Sequence, residues 1–165
     1  DVYKRQSVGI PAALLSSISA TLAGRSVSVH GRKVVVIGMM VTISGLVSTI
    51  ALIWATEQWG TSEWWIVLSL SLVGGGQGSV ISPNQTLTLA HVPQAYAGSS
   101  GAVLQTGQRI GTAIGLAVIT AIVFATLHGT NADWPLSIVA GFGVILSMCL
   151  ASLGFAVADQ RSSQA

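Results

Sequence analysis

Five long apolar segments, almost free of charge, dominate this sequence and decide what it can fold into. About 17 to 25 apolar residues in helical rise cross the ~30 Å hydrocarbon core of a bilayer. A helix that faces water keeps a polar side, so a soluble domain does not accommodate five such segments. The sequence therefore predicts an all-α membrane protein with transmembrane helices at residues 7–23, 34–54, 64–90, 100–127 and 136–157.

The composition supports a membrane protein and argues against several other classes. Charged residues make up 7% of the chain, against about 25% in an average soluble domain. The net charge of +2 comes from scattered Lys and Arg residues, which do not form the basic surface that nucleic acid requires. His30, His91 and His128 have no metal-ligand spacing, and no nucleophile and base pair suggests an enzyme. We therefore expect no catalytic activity, no metal, no cofactor and no nucleic-acid partner.

The charges between the segments predict how the chain crosses the membrane. Lys and Arg in short loops stay on the cytoplasmic side, and here they occur at residues 24–33, Arg109 and Arg161. The opposite connections carry acidic residues such as Glu57 and Asp133. The tail at residues 158–165 is therefore expected in the cytoplasm of a multi-pass plasma membrane protein, in a bacterial inner membrane. Tryptophan favours the membrane boundary, and all five lie on the side predicted outside: Trp54, Trp59, Trp64, Trp65 and Trp134.

The first six residues, Asp-Val-Tyr-Lys-Arg-Gln, disagree with this orientation. Lys4 and Arg5 would lie outside, against the retention of positive charge in the cytoplasm. Either the first segment is not a full span, or the hexapeptide is not native. We adopt the second interpretation and treat residues 1–6 as a non-native leader.

Polar residues follow one face of the fourth predicted helix. Gln105, Gln108, Arg109 and Thr112 are spaced i, i+3, i+4 and i+7, which places them on one side of a helix. Polar side chains are costly in hydrocarbon unless they face protein or water. Two interpretations remain open: the stripe lines a substrate cavity, or Arg109 reaches the inner headgroups while the glutamines bond to neighbouring helices.

The third predicted helix carries a second amide stripe beside a run of glycines. Gln77, Asn84 and Gln85 fall at i, i+7 and i+8 and share one face. Pro83 removes a backbone donor and predicts a kink. A bent, glycine-rich helix suits a moving part beside a substrate cavity. It equally suits a helix that is bent for packing, with its amides bonded to neighbours.

Small residues on the fourth helix predict close helix packing. Gly107, Gly111 and Gly115 recur every fourth residue and form a ridge without side chains. Such a ridge lets two helix backbones approach closely in lipid. We expect these glycines to lie against another helix.

The connection after the first segment resembles a motif of the major facilitator superfamily, Gly-x-x-x-Asp-Arg-x-Gly-Arg-Lys. Gly24, Gly31, Arg32 and Lys33 match that motif as a cytoplasmic loop, whereas Ser28 and Val29 stand where the family has Asp and Arg. The two glycines predict a tight turn between helices, and the cations hold the connection inside.

A second stretch is similar to the segment that enters the penultimate helix of the fourteen-helix drug:proton antiporter branch of that superfamily. It runs over residues 92–115, with Val-Pro, Ala-Gly-Ser-Ser-Gly, Gln-Thr-Gly-Gln-Arg-Ile-Gly and the glycine at 115. The resemblance implies that the five helices are helices ten to fourteen, part of a C-terminal bundle. Their partners would be the lipid bilayer and the missing N-terminal helices of the same transporter.

The same resemblance implies alternating access, with protons driving the efflux of amphipathic drugs or other small molecules. The alternative is a non-transporting membrane module or transporter remnant, in which the polar stripes only join helices.

Overall fold

The computed structural model describes residues 9–60, 62, 64–90, 92–130 and 133–162, with the backbone alone from residue 159 onward. This part of the chain forms five long helices: α1 (Gly9–His30), α2 (Lys33–Trp59), α3 (Trp64–Leu89), α4 (Ala97–Gly129) and α5 (Trp134–Ser162). A 3-10 turn, Gln94–Tyr96, precedes α4. All five helices are long and apolar enough to cross a membrane, which confirms the predicted fold class.

Three helices run well beyond the apolar segments that predict them. α1 continues to His30 rather than ending near residue 23, and α2 continues to Trp59 rather than ending at residue 54. α5 continues to Ser162, through much of the predicted tail. Helical hydrogen bonding satisfies the backbone on both sides of the membrane boundary, so the helix does not end where its apolar residues do. The hexapeptide 1–6 lies outside the described residues.

The connection between α1 and α2 is shorter than the sequence predicts. Gly31 makes the turn with a φ of +54°, a left-handed conformation that glycine adopts without steric cost. Its N–H donates to the carbonyl of Val27 at 2.8 Å. The turn predicted at Gly24 is wrong, because Gly24 lies inside α1. A Cβ there would lie 3.1 Å from the Ser82 Oγ of α3, so Gly24 permits helix contact instead.

Helix α3 makes the most extensive helix contacts in the bundle. It packs extensively against α1 and α2, while α2 also contacts α5, and α5 contacts α4. Contact between α3 and α4 is slight. Lipid tails are as apolar as leucine, so in a membrane these contacts are stabilised by close packing and hydrogen bonds rather than by hydrophobic burial.

The glycines of α3 make that close packing possible. An added Cβ at Gly78 would overlap the Ser16 carbonyl oxygen of α1, and one at Gly76 would overlap the Thr42 hydroxyl of α2. At Gly74 a Cβ would lie 2.5 Å from the carbonyl oxygen of Ala12. The glycine run therefore serves two helix interfaces, one on each side of α3. Helix α3 also continues without interruption through the fully buried Pro83, and the kink predicted there stays a prediction.

Candidate functional site

A cavity of about 500 Å³ lies among α2, α3, α4 and α5. Its polar lining consists of Thr42 from α2, Gln77 from α3, Thr112 from α4 and Ser152 from α5. Ligand sites in proteins are commonly of this size and present a few polar groups on an apolar wall. We call this space the four-helix cavity. It brings together Gln77 and Thr112, one residue from each of the two predicted polar stripes.

The rest of the wall is apolar and rich in sulfur. Met39 of α2 faces the cavity together with Met148 and Cys149 of α5. Aliphatic residues complete the wall, namely Val80, Ile81, Ile119 and Ile145. Methionine has a flexible, polarisable side chain that adapts to ligands of different shape.

The hydroxyl groups of the wall are oriented by their own helices. Thr42 Oγ1 donates to the Gly38 carbonyl at 3.0 Å, and Thr112 Oγ1 donates to the Gln108 carbonyl at 2.8 Å. Each hydroxyl has one proton, so a further partner can only donate to these two oxygens. The Thr42 hydroxyl also lies against Gly76 in the α2–α3 interface. Within the described residues, no hydrogen bond joins the Gln77 amide to another protein group, and it presents both donors and an acceptor.

The two predicted stripes also meet directly, in the halves of α3 and α4 that are predicted to face the cytoplasm. Gln85 Nε2 of α3 donates to Gln108 Oε1 of α4 across 3.4 Å. This long hydrogen bond lies at the slight contact between the two helices. Gln85 and Gln108 therefore bond to each other, as the helix-joining interpretation of the stripes requires, whereas Gln77 and Thr112 line the cavity.

The remaining predicted residues line two smaller spaces. Asn84 borders a cavity of about 310 Å³ among α2, α3 and α5, together with Arg32 and Phe155. Gln105 and Arg109 line an open groove of about 320 Å³ along α4. Gln108 and Thr112 lie in the same groove, and Thr112 thus joins it to the four-helix cavity.

Helix geometry places these groups at different depths. Counted from Gly129, at the end of α4 predicted outside, about 20 residues cross the hydrocarbon core. Where the core begins at Gly129, that span ends next to Arg109, which places its guanidinium at the boundary predicted to be cytoplasmic, here called the inner boundary. Counted from Trp64, the same span of α3 ends near Pro83. On this count we expect Gln77 within the core and Gln85 at the inner boundary.

The opposite end of the bundle holds a cavity with acidic groups. It has a volume of about 490 Å³ between α2 and α5, and its lining includes Glu57, Asp133 and Trp54. The Asp133 carboxylate accepts a hydrogen bond from the Leu136 N–H at 3.1 Å, at the start of α5. The polar groups of the bundle thus lie at three levels: this end, the four-helix cavity and the inner boundary.

The glycine ridge of α4 contacts none of the described helices. A Cβ added at Gly107, Gly111 or Gly115 would meet nothing within 4 Å, and α4 contains no buried residue. The packing role of these glycines stays a prediction, because their partner would have to lie beyond the described residues.

The sequence alone does not reveal most of the four-helix cavity. Met39, Met148 and Cys149 lie in apolar segments and give no polar signal, and Thr42 and Ser152 are single hydroxyl residues among apolar neighbours. Hydroxyl residues are common in membrane helices, where they bond to the backbone one turn back. Only the arrangement of the helices identifies these five residues as cavity lining.

Comparison with known proteins gives one family. The family model described as Major Facilitator Superfamily matches residues 6–164. The comparisons with curated proteins and with solved structures found no match. The family match covers nearly the whole chain and therefore includes all five helices and the four-helix cavity.

Proposed function

Because this chain belongs to the major facilitator superfamily, a family of membrane transporters, we propose that it is the C-terminal part of a proton-coupled exporter of amphipathic small molecules. The observation that carries the proposal is the four-helix cavity, which presents Gln77 and Thr112 within a wall of apolar side chains. A polar group at membrane depth is costly unless it has a partner or a function. A cavity with few polar groups suits a substrate that is itself mostly apolar.

The proposed position in the transporter is that of helices ten to fourteen in the fourteen-helix drug:proton antiporter branch. The support is the sequence of residues 92–115, which enters α4. The unpartnered glycine ridge of α4 is consistent with a bundle that continues beyond these five helices. In this proposal the protein resides in the bacterial plasma membrane, and its C-terminus is cytoplasmic.

Alternating access supplies the mechanism. The four-helix cavity lies between acidic groups at the outer end, Glu57 and Asp133, and the polar groups at the inner boundary. A substrate would enter the cavity from the cytoplasm or the inner leaflet and leave at the outer end. The apolar segments predicted to span the membrane contain no Asp or Glu, so we assign the proton-carrying carboxylate to helices other than these five.

Transport in everted membrane vesicles tests this proposal. The longest reading frame that contains this chain is expressed in a host that lacks its own exporters. We expect accumulation of amphipathic fluorescent probes that stops when nigericin collapses the pH gradient. Accumulation equal to that of vesicles without the protein, or unaffected by nigericin, would contradict proton-coupled export. The same reading frame should encode nine further spans, and a different number would contradict the proposed branch.

A further inference from the structure

We infer that the four-helix cavity takes an uncharged aromatic compound that carries a hydrogen-bond donor. This inference rests on the proposed function, since it names the substrate class for the same cavity. Three properties of the wall lead to it: its charge, its sulfur content and the direction of its hydrogen-bonding groups.

The first property is charge. Among the described residues that line the cavity there is no Asp, Glu, Lys, Arg or His. The adjoining groove, which shares Thr112 with the cavity, contains Arg109. An organic cation that leaves water for this wall would lose its hydration without meeting an anion, and it would lie near the Arg109 guanidinium. An organic anion would likewise find no counter-charge inside the cavity.

The second property is the sulfur content of the wall. Met39, Met148 and Cys149 contribute three sulfur-containing side chains to a wall whose other apolar members are branched aliphatic residues. Thioether sulfur makes favourable contacts with the edges of aromatic rings, and methionine adjusts its rotamers to flat ligands. A ring system therefore fits this wall better than a flexible alkyl chain does.

The third property is the direction of hydrogen bonding. The Thr42 and Thr112 hydroxyls donate to their own helices, so a ligand can only donate to them. Gln77 adds an amide oxygen and the amide donors, and Ser152 adds a hydroxyl that can donate or accept. Acceptor oxygens therefore outnumber donor groups, and a ligand with an N–H or O–H group would satisfy them without adding charge.

The only cysteine of the chain gives a direct measurement, because Cys149 is half-buried in the cavity wall. The protein is reconstituted in lipid nanodiscs, and alkylation of Cys149 by N-ethylmaleimide is followed by mass spectrometry. Three probes share one skeleton: uncharged N-phenyl-1-naphthylamine, its sulfonate 8-anilinonaphthalene-1-sulfonate, and a trimethylammonium derivative. At equal membrane-bound concentration, we expect the uncharged probe to slow alkylation the most.

Two pairs of variants separate occupation of the cavity from general effects. Ser147→Cys combined with Cys149→Ser moves the thiol to an exposed position on α5 that does not line the cavity, and there the uncharged probe should give no protection. Gln77→Leu should weaken protection of Cys149 by about three- to tenfold, the range expected for one neutral hydrogen bond. Gln58→Leu removes an exposed amide at the outer end of α2 and should change nothing.

Several outcomes would overturn the inference. One is stronger protection by the cation or the anion. That result would overturn the inferred substrate class but would not contradict the proposed export function. A second is equal protection of the thiol at position 147, which would mean that the probe acts from the lipid. A third is that Cys149 does not react with N-ethylmaleimide even without a probe, which would mean that the cavity is closed. Loss of nigericin-sensitive export with protection of Cys149 intact would contradict the proposed function instead, so the two failures are distinguishable.

Discussion

At the residue scale, one pair of hydroxyl groups joins α2 to α3. The Thr49 and Ser69 oxygens lie 2.8 Å apart, and Thr49 is fully buried. Each oxygen also lies within hydrogen-bond distance of a carbonyl of its own helix. A hydroxyl has one proton, so one group donates across the interface while the other donates to its own backbone.

We predict that Thr49→Val weakens the bundle modestly. Valine keeps the shape of threonine but breaks the bond between the helices. Such bonds in membranes contribute about 0.6 kcal/mol on average and at most about 1.7 kcal/mol, because the separated helices find other partners. The free energy of unfolding in mixed detergent micelles measures the effect. Thr106→Val is the matched control, since the exposed Thr106 hydroxyl donates only to the Ala102 carbonyl of its own helix. Equal losses for the two variants would contradict an interhelical role for Thr49.

Arg109 allows a test of its predicted role beside the cavity. If its guanidinium organises several acceptors in the α4 groove, Arg109→Ala should reduce export by the complete transporter without lowering the amount of protein in the membrane. Arg109→Lys should restore only part of the activity, because an ammonium keeps the charge but loses the planar array of donors. The measurement is the initial rate of probe export per amount of inserted protein. A parental rate for the lysine variant would show that Arg109 acts only as a headgroup anchor.

At the scale of the helices, the glycine run of α3 and the glycine ridge of α4 have different surroundings. The run of α3 contacts α1 and α2, whereas the ridge of α4 contacts none of the described helices. We predict that Gly78→Leu destabilises this chain by at least the ~1 to 3 kcal/mol typical of overpacking, because the new side chain would overlap the Ser16 carbonyl. Gly111→Leu should leave the stability of this chain nearly unchanged. Unfolding of the two variants in the same micelles makes the comparison.

The outcome for Gly111 also tests the predicted packing of α4. In the complete transporter, Gly111→Leu should lower the yield of folded protein, because a large side chain would separate α4 from the helix that the ridge contacts. A normal yield there, together with normal stability of the five-helix chain, would mean that the ridge faces lipid.

These glycines show what the sequence could and could not predict. Apolar length identified all five helices, because a span must satisfy its own backbone and must be long enough to cross the core. Small-residue spacing predicts that the ridge of α4 is a packing surface but could not supply its partner, so this role stays a prediction. For the glycines of α3 the sequence left two roles open, in a moving part beside a cavity or in helix packing. Only the helix arrangement places Gly76 and Gly78 in two interfaces. The same limit applies to the cavity, where Gln77 gives a polar signal and Met39 gives none.

The whole molecule is asymmetric across the membrane. α4 contains 33 residues and is therefore about 50 Å long, well beyond the ~30 Å hydrocarbon core. Its excess length lies on the side of Arg25, Arg32 and Lys33, which are all exposed. The exposed tryptophans Trp54, Trp59, Trp64, Trp65 and Trp134 lie at the opposite ends of the helices. The cations predict which side is cytoplasmic, and the one-sided tryptophans agree with that orientation without determining it, because tryptophan favours both membrane boundaries.

We predict from this asymmetry that the α2–α3 connection is outside and the α4 entrance is cytoplasmic. Single cysteines introduced by Ser62→Cys or Gln94→Cys, each with Cys149→Ser, place a thiol at an exposed position outside the long helices. A membrane-impermeant maleimide applied to intact cells should label the Ser62→Cys variant at once. It should label the Gln94→Cys variant only after permeabilisation, because the cations of the inner connections resist translocation. Denatured protein labelled at both positions is the control for thiol reactivity. The reverse pattern would overturn the orientation, and with it the direction of export, since the inner boundary at Arg109 would then face the outside.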